Sequence, residues 1–176
     1  QNHFIRIDDV GGAYFLHRLH LLTGAGDEAH ACQTGAVGSA LVEIEVSTNN
    51  QYYSSENGVL FNKDKTAIIH YPSSKEGTTY EIPSTVSLIE DCSFYKCIKL
   101  TSVIIPDGVT SIGDRAFDNC TFLNSISIPD GVTSIGESAF SVCYSLKNIT
   151  ISDSVTSIGK WAFSNCRSLS TVDFGN

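Results

Sequence analysis

Residues 105–120 read IPDGVTSIGDRAFDNC, and residues 128–143 read IPDGVTSIGESAFSVC, 23 positions later. Extending the comparison outward gives four units of 23 residues laid end to end without a gap. They are IPSTVSLIEDCSFYKCIKLTSVI from Ile82, IPDGVTSIGDRAFDNCTFLNSIS from Ile105, IPDGVTSIGESAFSVCYSLKNIT from Ile128 and ISDSVTSIGKWAFSNCRSLSTVD from Ile151. A fifth opens at Phe174 and stops at Asn176. A fixed period of this length is the mark of a stacked repeat architecture.

The columns sort by chemistry. Ile82, Ile105, Ile128, Ile151 and Phe174 share one. Val86, Val109, Val132 and Val155 share another, as do Ile89, Ile112, Ile135 and Ile158. Phe94, Phe117, Phe140 and Phe163 follow, each preceded by a small residue (Ser93, Ala116, Ala139, Ala162). Then come Cys97, Cys120, Cys143 and Cys166; Leu100, Leu123, Leu146 and Leu169; and Val103, Ile126, Ile149 and Val172. Apolar columns are inward positions, and the variable columns between them face solvent.

Local signals agree with a coil. In LTSVIIP from Leu100 the apolar residues alternate with period two, which predicts a short strand. Pro106-Asp107-Gly108 predicts a turn, with Gly108 available for positive φ. VTSIG is a second extended piece. DRAFDNC from Asp114 predicts about one helical turn. One unit is not stable alone. Roughly eight inward side chains, at about 1.5–3 kcal/mol each when fully buried, fall short of backbone ordering at about 1–2 kcal/mol per residue. Each rung therefore needs a rung above and below it.

The pattern IP..VTSIG..AF..C..L..I closely resembles the BspA-like leucine-rich repeat family, over Ile82 to Asn176. The resemblance implies an α/β leucine-rich-repeat solenoid of mostly short parallel strands with one-turn helices. It further implies an exported or cell-surface protein of the kind associated with adhesion to host or matrix proteins. Upstream, LVEIEV from Leu41 resembles the end of a preceding repeat, with Leu41, Ile44 and Val46 in the columns of Leu100, Val103 and Ile105. An enlarged, hairpin-bearing repeat is expected at about 47–81, with strands near Gly58–Phe61 and Ala67–Tyr71 joined by the turn Asn62–Lys65. The regular repeats occupy 82–173, and 174–176 start another. The solenoid is thus expected over 41–176 and an N-terminal cap or irregular segment over 1–40, with Ala13–Leu22 a candidate helix.

Several motifs in the chain invite a chemical reading. DEAH at Asp27–His30 spells a helicase box, but the phosphate loop it requires is missing. His17, His20, His30 and Cys32 are only loosely finger-like in spacing and read as cap side chains. Asn62, Asp64 and Thr66 alternate like the start of a calcium loop but lack its Gly and terminal Glu, so they read as a hairpin turn. All five His, from His3 to His70, lie upstream of the regular repeats. The column cysteines read as free, buried, inert thiols bonding weakly to a loop carbonyl. Cys92, in a variable column with Arg115, Ser138 and Trp161, is expected to be more exposed, and Cys32 has no evident partner. Asp107, Asp130 and Asp153 recur as turn residues. No catalytic, cofactor or metal residues are expected, and an enzyme is the most distant reading.

Net charge is −8 over 176 residues, a surface that repels a phosphate backbone, so nucleic-acid binding is not expected. No apolar run is long enough to span a membrane. The chain starts at Gln1 and has no Met, which fits a processed or excised form and is compatible with export. The short start of a repeat at Phe174 leads us to expect more repeats or another domain after it, or end-to-end or edge association.

What remains is surface. Alternation turns Glu43, Glu45, Ser102, Ile104, Ser125, Ser127, Asn148, Thr150, Thr171 and Asp173 outward on one sheet face, the candidate site for a protein partner. That face is small, polar and hydroxyl-rich, without the aromatic anchors usual in binding hot spots. The competing reading is a structural spacer or stalk that projects another domain. Trp161 is a rival anchor on the opposite side. Asn119 and Asn148 sit in N-x-[ST] sequons.

Overall fold

The computed structural model describes residues 3–8 and 41–174. Most of the described chain is a solenoid of short parallel strands. One side is a five-stranded sheet of β6 (Thr79–Glu81), β8 (Ser102–Ile104), β10 (Ser125–Ile128), β12 (Asn148–Ile151) and β14 (Thr171–Phe174). A second side carries β7 (Leu88–Ile89), β9 (Ser111–Ile112), β11 (Ser134–Ile135) and β13 (Ser157–Ile158). The register is the repeat period: Ser102, Ser125, Asn148 and Thr171 lie side by side, as do Ser111, Ser134 and Ser157.

Inside, the apolar columns meet as expected. The rings of Phe94, Phe117, Phe140 and Phe163 stack along the axis at 4.7, 5.1 and 5.5 Å between centroids, with interplanar angles of 10° or less. Strand spacing of about 4.8 Å sets this separation. Tyr71 extends the stack at 5.3 Å from Phe94. Each column thiol donates to the carbonyl of the aromatic residue one rung back: Cys120 to Phe94 at 3.0 Å, Cys143 to Phe117 at 3.2 Å and Cys166 to Phe140 at 3.1 Å.

The expected one-turn helices are not formed; no helix occurs among the described residues. Arg115 and Asn119 have φ of 54° and 62°, and Ser138 and Val142 repeat this at 55° and 61°. A left-handed residue at every fourth position cannot continue a right-handed helix. The reason lies between the rungs. Arg115, Phe117 and Asn119 donate their N–H groups to Glu137, Ala139 and Ser141 of the next rung at 2.8, 2.7 and 2.9 Å. The alternate residues close short turns instead, as Cys120 does on Phe117 at 3.2 Å. The segment is a third hydrogen-bonded side of the coil.

Close stacking dictates small residues. A Cβ on Gly136 would lie 2.5 Å from the Asp114 nitrogen, and Gly113 and Gly159 are equally tight against the preceding rung. Gly108 does not use positive φ; among the described glycines only Gly58 and Gly77 do. Thr110, Thr133 and Thr156 each donate their hydroxyl to a carbonyl one rung back, at 3.1, 3.1 and 3.2 Å.

At the N-terminal end three antiparallel strands, β3 (Tyr53–Glu56), β4 (Val59–Asn62) and β5 (Ala67–His70), continue the second sheet, and β5 runs parallel to β7. β4 and β5 lie where the sequence predicts strands, and β3 is an additional one. Asn57 and Gly58, both at positive φ, make the tight turn between β3 and β4. The turn after β4 is held by Asn62, whose side chain bonds Thr66 Oγ1 and the Ala67 N–H. That is a hairpin and not a calcium loop.

The strand β2 (Leu41–Val46) does not join the five-stranded sheet as expected. It pairs in parallel with β1 (His3–Ile7), and β6 takes the place beside β8. Leu41 and Ile44 are buried in a separate small cluster with Ile7, Tyr53 and Leu60. The repeat before Ile82 is masked in the sequence because its columns carry unusual residues: Tyr71 for Phe, Ser74 for Cys, Gly77 for Leu and Tyr80 for Val. Apart from β1, the expected cap over 1–40, including Ala13–Leu22, the DEAH stretch and the His17, His20, His30, Cys32 set, lies outside the described residues.

Ser93 stands in the column of Ala116, Ala139 and Ala162, and its hydroxyl is fully buried without a hydrogen-bond partner. Such a group costs about 1–3 kcal/mol. Ser93→Ala is expected to stabilise the fold by about 1 kcal/mol. Urea unfolding checks this: the midpoint rises at unchanged slope, and a lower midpoint contradicts it.

Candidate interaction face

The five-stranded sheet presents two outward rows. One is Thr79, Ser102, Ser125, Asn148, Thr171; the other is Glu81, Ile104, Ser127, Thr150, Asp173. Adjacent members sit one strand spacing apart, about 4.8 Å. Inward neighbours Val103, Ile126 and Ile149 are buried, so the rows rest on a packed support. Eight of the ten residues named from sequence lie here. Glu43 and Glu45 do not: they are on β2, in the two-stranded sheet, beside Phe4 and Arg6. Thr79 and Glu81 occupy the places expected for them. The signal was present in TTYEIP, which keeps the phase of TSVIIP one repeat later.

Across β8, β10 and β12 the face forms a shallow groove of about 610 Å³. It is lined by Ser102, Ile104, Ser125, Ser127, Asn148 and Thr150 on the strands and by Asp107, Asp130 and Ser152 just after them. Ser152 donates its hydroxyl to Asp130 at 2.8 Å. Ile104 is 58% exposed, the apolar point among these otherwise polar side chains. A second groove of about 540 Å³ crosses the other sheet along Ser111, Ser134 and Ser157. Two of its carboxylates are engaged: Asp91 accepts the Asp114 N–H at 2.7 Å, and Asp114 accepts that of Glu137 at 2.6 Å. Trp161 is 67% exposed, on the same rung as β13.

Burial pushes the thiols of Cys120, Cys143 and Cys166 up, so they are protonated and unreactive at neutral pH. Cys97, Cys120, Cys143 and Cys166 are free, as expected. Cys92 is half-buried and disulfide-bonded. Burial raises the carboxyl of Asp118, opposed by Arg115 and by the Asn119 amide, which donates to it at 2.9 Å. Burial likewise raises the phenols of Tyr71 and Tyr80. Among the described residues no three His, Cys, Asp or Glu gather to hold a metal ion. No described helix is long and apolar enough to cross a membrane.

The BspA type leucine rich repeat region matches residues 68–176 in six copies. The chain belongs to the BspA-type leucine-rich repeat family. Solved structures agree with the assignment. A leucine-rich repeat protein from Eubacterium ventriosum is 29% identical, with a TM-score of 0.70, over 97% of this chain and 48% of that one. A leucine rich cell surface protein from Faecalibacterium prausnitzii is also 29% identical, with a TM-score of 0.55, over 78% of this chain and 43% of that one. One from Bacteroides ovatus is 35% identical, with a TM-score of 0.56, over 69% and 31%. This BspA-type chain spans about half or less of the length of each of these structures. A search among curated proteins finds no match.

Proposed function

We propose that the chain is a non-catalytic protein-interaction module, displayed at a cell surface or secreted, that binds a protein partner on the five-stranded sheet. The observation that carries this is the groove: the outward side chains Ser102, Ile104, Ser125, Ser127, Asn148 and Thr150 of the five-stranded sheet line it, over a buried layer of Val103, Ile126 and Ile149. Bonded Cys92 supports an oxidising location, where disulfides persist. The similarity to a cell surface protein of Faecalibacterium prausnitzii points the same way. An adhesin-like role with a host or matrix protein suits such a module.

The test is binding of the chain to immobilised matrix proteins and to whole cells, with Ser102→Arg plus Ser125→Arg as the probe variant. Both positions are outward on adjacent strands, so two long side chains fill the groove without touching the core. At least tenfold weaker binding is expected, or about 1.4 kcal/mol. Full retention removes this face from consideration. No binding by the unaltered chain favours the spacer reading, which a face poor in aromatic anchors also fits.

A further inference from the structure

We infer that the groove takes a protein segment in which basic side chains flank an apolar one. This rests on the five-stranded sheet being the binding face, and it adds the partner's chemistry. The charged residues lining the groove are Asp107 and Asp130, both acids, and no lysine or arginine lines it. Neither carboxylate joins an ion pair among the described residues. Negative charge also closes both ends of the outer row: Glu81 lies beside Ile104, and Asp173 beside Thr150. Between these acids stands Ile104, 58% exposed among hydroxyls. An acidic partner is repelled here. A sugar ring finds no aromatic platform, since no aromatic side chain lines the groove. A segment with Lys or Arg on either side of an aliphatic residue meets the Asp107 and Asp130 carboxylates and covers Ile104 together. The second groove is a poorer match, because Lys160 lies among its acids.

The experiment is a nuclear magnetic resonance titration of the full chain with two short capped peptides, one with a Lys-Ile-Lys centre and one with Glu-Ile-Glu. The basic peptide is expected to shift the Ile104 methyl and the amides of Ser102, Ser125 and Ser127, and to weaken as salt is added. Asp107→Lys with Asp130→Lys is expected to weaken it at least roughly 5-fold. Asp107→Asn with Asp130→Asn is expected to fall between, and unchanged Phe117 and Phe140 ring signals certify the fold of both variants. Equal shifts of the groove by both peptides overturn the charge inference and leave the binding face standing. Shifts outside the groove, or indifference to the variants, overturn the inference and count against the face itself.

Discussion

Phe117→Ala is expected to cost about 3–5 kcal/mol of stability, at the upper end for aromatic truncation. Phe117 is fully buried, with Phe94 at 4.7 Å on one side and Phe140 at 5.1 Å on the other. The size of the loss depends on whether the walls can collapse into the hole. Here they cannot, because the two flanking rungs are held apart at the strand spacing by hydrogen bonds on three sides. Phe163→Ala is the internal control. Its ring stacks on Phe140 and is only partly buried, so its loss is expected to be about half as large. Urea unfolding followed by far-UV circular dichroism measures both. Equal losses at the two positions contradict a stack that is closed in the middle and open at Phe163.

Gly136→Ala is expected to cost about 3 kcal/mol, for the opposite reason. The added Cβ lands 2.5 Å from the Asp114 nitrogen and 2.5 Å from the Gly113 carbonyl carbon. Those are backbone atoms of the rung beneath, and they move only if the rungs separate. Relief therefore weakens the Gly136 N–H bond to Ile112, now 2.8 Å, and its neighbours. Gly108→Ala, whose nearest atoms lie at 3.6 Å, is the comparison and is expected to change stability by less than about 1 kcal/mol. A Gly136→Ala protein as stable as the Gly108→Ala protein contradicts backbone contact as the reason for the glycine column.

The solenoid was legible because it is repeated. Phe94 to Phe163 and Cys97 to Cys166 recur with one chemistry, and recurrence at a fixed period is visible without coordinates. The short helices were not, because DRAFDNC opens on an acidic residue as a helical turn does, while its actual conformation is decided by carbonyls 22 residues ahead, as for Phe117 N–H on Ala139. Glu43 and Glu45 were misplaced for a related reason. LVEIEV has the alternation of a rung strand, and only the pairing with His3–Ile7 distinguishes it. The face itself was largely legible, since alternation names outward residues reliably. The groove was not, because it also takes in the turn residues Asp107 and Asp130, whose placement beside the strands no alternation pattern records. Cys92 could not be assigned a bond, since a lone thiol in a variable column carries no spacing signal.

The uninterrupted register has a bearing on how such a chain can change over generations. Excising or duplicating one whole unit rejoins Ile to Pro and Phe to its small neighbour, so the interior is conserved and the groove merely shortens or lengthens by about 4.8 Å. An insertion of a single residue in the middle of a strand reverses its alternation and turns the greasy side outward. The reach of this surface is therefore a quantity that varies in whole steps, at little risk to folding.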